Sequence, residues 1–408
     1  MDPFTPSGSV SPSAAKEAAP GSASTTPVVG IIGDGQLGMM LCQAASELSL
    51  TTVLLTADAA NPAARSASNT VVGKMNDPDV IQQLVQACDV ITYEREDVPA
   101  EAIAVLRAAE SAGKVQCFPS LSVIELIQDK GLQKSWLRDQ HIPTLPFILS
   151  SGDKSDAHRA AEQLGFPLVQ KALRGGFDGR GVQLLRGAAD LEHAWPGDTL
   201  YEQFAGDFEE IAVLMVRGQD GGTGYFGPVA MSFETEYSVL DTVHSPAMID
   251  EESIATAVTL AERTITAMKG VGTFGVEMFL LQSGEVLINE ISPRVHNAGH
   301  YTIEACASSQ FEQHLRAVTG MPLADTSQKS PAAMRNVLCT PPLEKEGITR
   351  EAGVSAHDSV REHWYGKSPA RAMRKLGHLT ALGATVAEAT AHVDQRWQQL
   401  QDNAKASN

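Results

Sequence analysis

No run of eighteen apolar residues occurs in the 408-residue sequence, so no segment is long enough to cross a bilayer as a helix. Cysteine is scarce. There are five, at Cys42, Cys88, Cys117, Cys306 and Cys339, an odd number without a C-x-x-C pair, which argues against both a disulfide framework and a zinc site. From these absences we expect a reducing, cytoplasmic setting. Basic residues are also short, 31 Lys and Arg against 49 Asp and Glu, for a net charge of −18. That balance opposes nonspecific binding to nucleic acid or anionic membrane and leaves small molecules as the expected partners. Residues 1–26 have almost no large apolar side chains, cannot build a core, and are expected to be a disordered extension.

A chain of this length exceeds what one core supports, so two or three domains are expected. From Pro27 onward VVGIIG, a glycine turn, GMMLCQAASELSL and TTVLLTAD read as strand, loop, helix and strand. With VVGK, DPDVIQQLVQAC and DVITYE they make a doubly wound α/β domain over 27–115. A helical stretch from Ser120 to about Gln140, with Ser122 and Glu125 in capping-box positions, leads into short strands around the helix AHRAAEQLG. This gives a small lid subdomain over 116–206. Residues 207–330 read as an α+β core with antiparallel strands, a hairpin, and a helix on either side of it. Residues 331–400 read as a smaller β-rich subdomain ending in a helix.

Chemistry concentrates in three places. GVEMFLLQSGEVLINEI reads as a hairpin turning at Ser283 and Gly284, which sets Glu277 opposite Glu290. Like charges so paired are destabilising unless something holds them. A divalent cation completed by water and phosphate is one candidate, a solvated strand face the other. Gly33, Gly35 and Gly38 form G-x-G-x-x-G between a strand and a helix, with Asp58 ending the next strand. That pattern suits a dinucleotide phosphate, although Asp34 brings negative charge into the loop; a plain tight turn is the alternative. KALRGGFDGRG, from Lys171 to Gly181, combines glycines and cations as a flexible phosphate-covering loop would. Glu202 and Glu210 suit nucleoside hydroxyls or an amino group, and Arg294 a phosphate or carboxylate clamp. His296 and His300 are read as substrate contacts or core, not zinc ligands. Arg374 and Lys375 stand out as cations for a phosphate.

The ordered set GDGQLGMM, TYERED, IQDK, KALRGGFDGRG, GVEMFLL, NEISPRVHNAGHYTIEACASSQFEQHLRA and HWYGK…RKLGHL resembles the ATP-grasp N5-carboxyaminoimidazole ribonucleotide synthetases of purine biosynthesis. The resemblance implies an ATP-grasp fold and carboxylation of 5-aminoimidazole ribonucleotide from ATP and bicarbonate through carboxyphosphate, with Mg2+ as cofactor. It also implies a homodimer. It assigns ATP to Lys130, Lys171, Gly176, Gly179, Glu202, Glu210 and Asn289, and Mg2+ to Glu277 and Glu290. It assigns catalysis to Asp178, Arg180, Arg294, His296 and Asn297, and acceptor binding to Gln36, Glu94, Arg374 and Lys375. The chain departs from the family's usual motifs at Asp34, at Met39, where arginine is usual, and at Phe177, where tyrosine is usual. A relative acting on another amine, and a nucleotide-binding regulator without turnover, are the other readings.

Overall fold

The first apolar run, VGII, is buried at all four positions, as a strand covered on both faces must be. It forms β1 (Val29–Ile32) of a parallel sheet ordered β3-β2-β1-β4-β5, with β2 (Thr52–Thr56), β3 (Asn69–Val72), β4 (Val90–Tyr93) and β5 (Gln116–Cys117). Helix α1 (Gln36–Glu47) covers one face, and α2 (Pro78–Ala87) with α3 (Ala100–Ser111) the other. The expected doubly wound domain is therefore present. The computed structural model describes residues 26–176, 181–234, 238–339, 352–357, 359–367 and 372–406. The disorder expected of residues 1–26 falls, apart from Thr26, outside the described residues.

The single helical stretch expected after Ser120 is two helices, α4 (Leu121–Ile127) and α5 (Lys130–Asp139). Asp129 breaks it by accepting hydrogen bonds from the Gly131 and Leu132 N–H groups at 3.0 and 3.1 Å, an N-cap that starts α5. The expected Ser122–Glu125 capping box does not form: Ser122 lies inside α4, bonded to the Ser120 hydroxyl at 3.0 Å, and Glu125 pairs with Arg107 at 2.6 Å. Next come β6 (Phe147–Ser151), α6 (Lys154–Leu164), β7 (Leu168–Ala172), β8 (Val182–Leu185) and β9 (Asp198–Gln203), an antiparallel sheet ordered β6-β9-β7-β8 with α6 packed against it.

The third sheet has nine strands in the order β14-β13-β10-β11-β12-β15-β18-β17-β16. They are β10 (Phe208–Arg217), β11 (Thr223–Phe233), β12 (Leu240–Ser245), β13 (Gly272–Leu281), β14 (Val286–Ser292), β15 (Ala332–Leu338), β16 (Gly353–His357), β17 (Val360–Trp364) and β18 (Lys375–Leu382). β15 pairs with β12, Arg335 facing Thr242, so the sheet runs unbroken across the boundary expected at 330. Helix α7 (Glu251–Met268) packs on β10, β13 and β14. The helix expected after the hairpin is divided into α8 (Thr302–Ala305) and α9 (Gln310–Thr319). Ser309 restarts the chain by accepting from the Glu312 N–H at 3.1 Å. Helix α10 (Val386–Ala406) closes the C-terminal layer.

The hairpin sets Glu277 opposite Glu290, by a different route from the expected one. The turn holds three residues, closed by Leu281 N–H donating to the Glu285 carbonyl at 2.9 Å, with Gly284 at φ +85°. That register alone would bring Asn289 to Glu277. Asn289 instead bulges out of β14, the pairing slips by one residue, and Glu290 takes the position.

Candidate active site

The site lies where the C-terminal ends of β1 and β4 meet the β13–β14 hairpin, at the point where strand order reverses in the parallel sheet. A cleft of about 360 Å3 there is lined by Gln36, Glu94, Lys130, Gly176, Glu277, Glu290, Arg294, His296, Asn297 and Lys375, ten of the residues expected at a site. A second cleft, of about 540 Å3, shares Gln36 with the first and holds Arg374. Lys171, Glu202, Glu210 and Asn289 do not line the first cleft. Asp178, Gly179 and Arg180 lie outside the described residues, as does Phe177.

The two facing carboxylates have separate partners. Glu290 pairs with Lys130, which opens α5, and Glu277 with His296 Nε2 at 2.9 Å. His296 Nδ1 accepts from the Ala298 N–H at 3.3 Å, so Nε2 carries the proton and donates it to Glu277. Burial pushes the Glu277 carboxyl up, but the hydrogen bond from His296 and the charges of Lys130 and Arg294 outweigh it and hold it below the usual range. Burial likewise opposes the Lys130 charge, and Glu290 holds that ammonium above its usual value. Among the described residues no three His, Cys, Asp or Glu side chains are arranged as a metal centre. Two hard carboxylates facing one cleft are nevertheless the donor set that magnesium uses with water and phosphate. The residues therefore fit that cation as one shared with a substrate.

The backbone around His296 is clamped by a residue that the sequence does not single out. Gln310, opening α9, accepts from the His296 N–H at 2.9 Å and donates to its carbonyl at 2.7 Å. Arg294 is turned toward the parallel sheet, where Nε and Nη2 bond the two oxygens of Glu96 at 2.5 and 3.3 Å. Against its own burial, Glu96 is held down at about 2 by that guanidinium.

Two expected roles change. Glu202, read as a nucleoside contact, is 1% exposed and lies between two ammonium groups, Lys134 and Lys171, each at 2.5 Å. Both of its oxygens are engaged, so it positions Lys171, whose ammonium also reaches Asn289 Oδ1 at 3.1 Å. The second change concerns the glycine turn, whose N–H groups are not open to a dinucleotide. Glu94 fills the cradle, Oε1 accepting from Gly35 at 2.6 Å and Oε2 from Gly38 at 2.7 Å. A Cβ at Gly33, where φ is +118°, would lie 2.2 Å from Glu94 Cγ, and one at Gly35 2.7 Å from its Oε1. The glycines thus admit an internal carboxylate at the helix N-terminus. Asp34 is likewise absorbed into the fold, accepting from the Thr56 hydroxyl at 2.7 Å and the Ala57 N–H at 3.1 Å. His300 is fully buried between Phe311 and His378, in the core. Glu210, on β10, is raised to about 7 by burial and by the charge of Glu277.

Three stretches match known domain families: residues 27–128 the ribonucleotide synthetase preATP-grasp domain, 135–311 the ATP-grasp domain, and 332–392 the phosphoribosylaminoimidazole carboxylase C-terminal domain. The N5-carboxyaminoimidazole ribonucleotide synthase of Brucella melitensis is 36% identical over 363 residues, covering 87% of this chain and 96% of that one. The chain belongs to the N5-carboxyaminoimidazole ribonucleotide synthase family of ATP-grasp ligases. Within that family, the Thermotoga maritima synthetase superposes with a TM-score of 0.78 at 35% identity, over 90% of this chain and 97% of that one. The Aspergillus clavatus synthase, solved with ADP and 5-aminoimidazole ribonucleotide, gives a TM-score of 0.82 at 31% identity, over 93% and 99%. This family does not call for a dinucleotide at the glycine turn, in agreement with the carboxylate that fills it.

Lys134, Lys367, Glu96 and Gln310 were not singled out from the sequence. Lys367 stands in the HWYGK motif, where it bonds Gln36 and lies 5.3 Å over the Tyr365 ring. Lys134 follows Lys130 by one helical turn, a spacing that puts both on one side of α5. Glu96 and Gln310 carry no local signal, because their partners are 198 and 14 residues away.

Proposed function

We propose that the chain uses Mg-ATP and bicarbonate to carboxylate the exocyclic amine of 5-aminoimidazole ribonucleotide, releasing ADP and phosphate, in purine biosynthesis. The observation that carries this reading is one continuous site: facing carboxylates with a lysine in the first cleft, joined through Gln36 to a second cleft with Lys367 and Arg374. The similarity to a synthase solved with ADP and that ribonucleotide supports it.

In this reading Lys130 and Lys171 neutralise the ATP phosphates, the glycines at 176 and 179 let backbone approach them, and Glu210 with Asn289 faces the nucleoside side. Glu277 and Glu290 would hold Mg2+, which when bound supplies charge neutralisation on the transferred phosphoryl group. A bicarbonate oxygen attacks the γ-phosphorus, giving ADP and carboxyphosphate. Carboxyphosphate then breaks to CO2 and phosphate, and the amine nitrogen bonds to the CO2 carbon and loses one proton. Arg294, His296 and Asn297 line the cleft on the acceptor side, and the resemblance adds Asp178 and Arg180, which lie outside the described residues. Their work is positioning and exclusion of water from a short-lived acyl phosphate. Gln36 and Glu94 edge the acceptor, and Arg374, Lys375 and Lys367 meet its phosphate. We extend the reading to a cytoplasmic homodimer, which light scattering on the purified chain tests.

The deciding experiment measures ADP release from Mg-ATP and bicarbonate with and without 5-aminoimidazole ribonucleotide. Strong stimulation by the ribonucleotide supports the reading. ADP release indifferent to it would assign another acceptor to the same ATP chemistry, and no release under any combination would leave a nucleotide-binding protein without turnover.

A further inference from the structure

The second cleft is walled by two parts of the chain that meet directly. A Cβ on Gly366, where φ is +65°, would lie 3.2 Å from Pro62 Cγ, so the C-terminal segment carrying Lys367 abuts the 3-10 turn Pro62–Ser66. That turn is fixed by its cap, Asn61 Oδ1 accepting from the Ala63 N–H at 3.0 Å. Its last residues include Arg65, which is exposed and lines the cleft. From the N-terminal domain the lining includes Asp34, Gln36, Met39 and Asp58, and Arg65 is the one cation among them. Helix α1 contributes only the neutral Gln36 and the buried, apolar Met39. Asp34 is turned into bonds with Thr56 and Ala57, and Asp58 Oδ1 accepts from the Ala60 N–H at 2.9 Å. Arg65 forms no ion pair among the described residues. Three cations, Arg65, Lys367 and Arg374, thus converge on one cleft in a chain of net charge −18.

We propose that Arg65 is an additional phosphate anchor and specificity-determining residue, holding the acceptor's phosphomonoester from the N-terminal domain while Lys367 and Arg374 hold it from the C-terminal segment. This rests on the proposed function in taking the acceptor to be a ribonucleotide. A guanidinium forks onto two phosphate oxygens, which an ammonium cannot do. Its seat on a capped turn pressed against Gly366 leaves little reorganisation to bind. The dianion would also tie the two walls together, so the phosphate selects ribonucleotide over riboside.

The test uses the full chain and two readouts. In the first, thermal unfolding is followed with millimolar ribose 5-phosphate or ribose, for wild type, Arg65→Met and, as a surface-charge control, Arg107→Met. Ribose 5-phosphate is expected to raise the Tm of wild type and R107M but not of R65M, and ribose to raise none. No rise in wild type, or an equal rise in R65M, overturns the proposal. In the second, R65M is expected to raise KM for 5-aminoimidazole ribonucleotide about tenfold, as loss of one charge-assisted contact does, leaving KM for ATP and kcat within about twofold. The riboside should be used equally poorly by both proteins. Adding Met39→Arg, which restores a guanidinium to the same cleft, should recover part of the loss. An equal loss with ribonucleotide and riboside would mark Arg65 as structural and overturn the proposal. If ribose 5-phosphate binding depends on Arg65 but the ribonucleotide does not stimulate ADP release, the anchor stands and the acceptor assignment fails. If the ribonucleotide stimulates both proteins with one KM, the reverse holds.

Discussion

Lys134→Met gives the sharpest test of how the ATP side of the site is held. Lys134 is 3% exposed and Glu202 1%, and Lys134 Nζ lies 2.5 Å from Glu202 Oε1 as an ion pair and donates to Thr144 Oγ1 at 2.6 Å. Burial pushes the Glu202 carboxyl up, while Lys134 and then Lys171 outweigh it and hold it below the usual range. Burial also drives Lys134 down to about 8, which shows how dry the pair is. Removing one partner from a buried ion pair typically costs about 3–5 kcal/mol, because the remaining charge is left without compensation. Here Lys171 stays on the second carboxylate oxygen at 2.5 Å, so the lower end, about 3 kcal/mol, is expected. At about 2–4 °C per kcal/mol for domains of this size, that lowers Tm by roughly 6–12 °C. Thermal unfolding of K134M, E202M and the double variant forms a cycle. Replacing both partners by methionine should recover part of the loss, since an apolar pair of similar volume removes two desolvated charges while Lys171 keeps Asn289. The ATP readout separates positioning from packing: in K134M, Glu202 is shared with nothing but Lys171 and holds it more tightly, so KM for ATP should rise. A K134M protein as stable as wild type, or a double variant no better than the sum of the single ones, would refute the reasoning.

Glu290→Gln should cut kcat by about 100-fold or more, since it removes charge aimed at a developing phosphoryl centre. It should also raise the Mg2+ needed for half-maximal ADP release and leave Tm near wild type; unchanged magnesium dependence would count against a metal at this carboxylate. Glu94→Gln can accept from only one of Gly35 and Gly38, leaving the other N–H facing an amide donor, at a cost of about 1–3 kcal/mol that thermal unfolding would read. His314 accepts from the Thr273 N–H through Nδ1 at 3.0 Å and meets Thr92 Oγ1 through Nε2 at 2.7 Å, and burial holds it at about 3. An unfolded histidine titrates near 6.5, so the unfolded chain binds the extra proton between roughly pH 6.5 and 3. Stability should therefore fall as pH drops through that window, by up to about 1.4 kcal/mol per unit. His300 and His378, both pushed down by burial, act with the same sign. H314Q should show a shallower fall of Tm with acid than wild type, and equal slopes would sink the assignment.

The parts of the fold legible in the sequence were those whose cause is local. Alternating apolar runs and helical periods gave the parallel domain, and turn residues gave the small sheet. The facing of Glu277 and Glu290 was read correctly from spacing, yet through two errors that cancel, a turn one residue longer and a bulge at Asn289. Spacing fixes which residues face each other only up to such slips, and a carboxylate pair tied by Lys130 and His296 is what makes this register worth holding. The glycine turn was ambiguous for a related reason. G-x-G-x-x-G reports that something approaches the backbone closely, and says nothing of what. Here it is Glu94, brought 56 residues back to Gly38 by β1–β4 pairing. Lys134 carries no local sign that Glu202 would be brought to it. In each case the missing information is a contact with an element that local sequence does not specify, and where the polar group concerned is buried, only one arrangement satisfies it. The same logic makes Arg65 the exception worth testing: it is the cation of the N-terminal wall that forms no ion pair among the described residues, and it lines one cleft with Lys367 and Arg374.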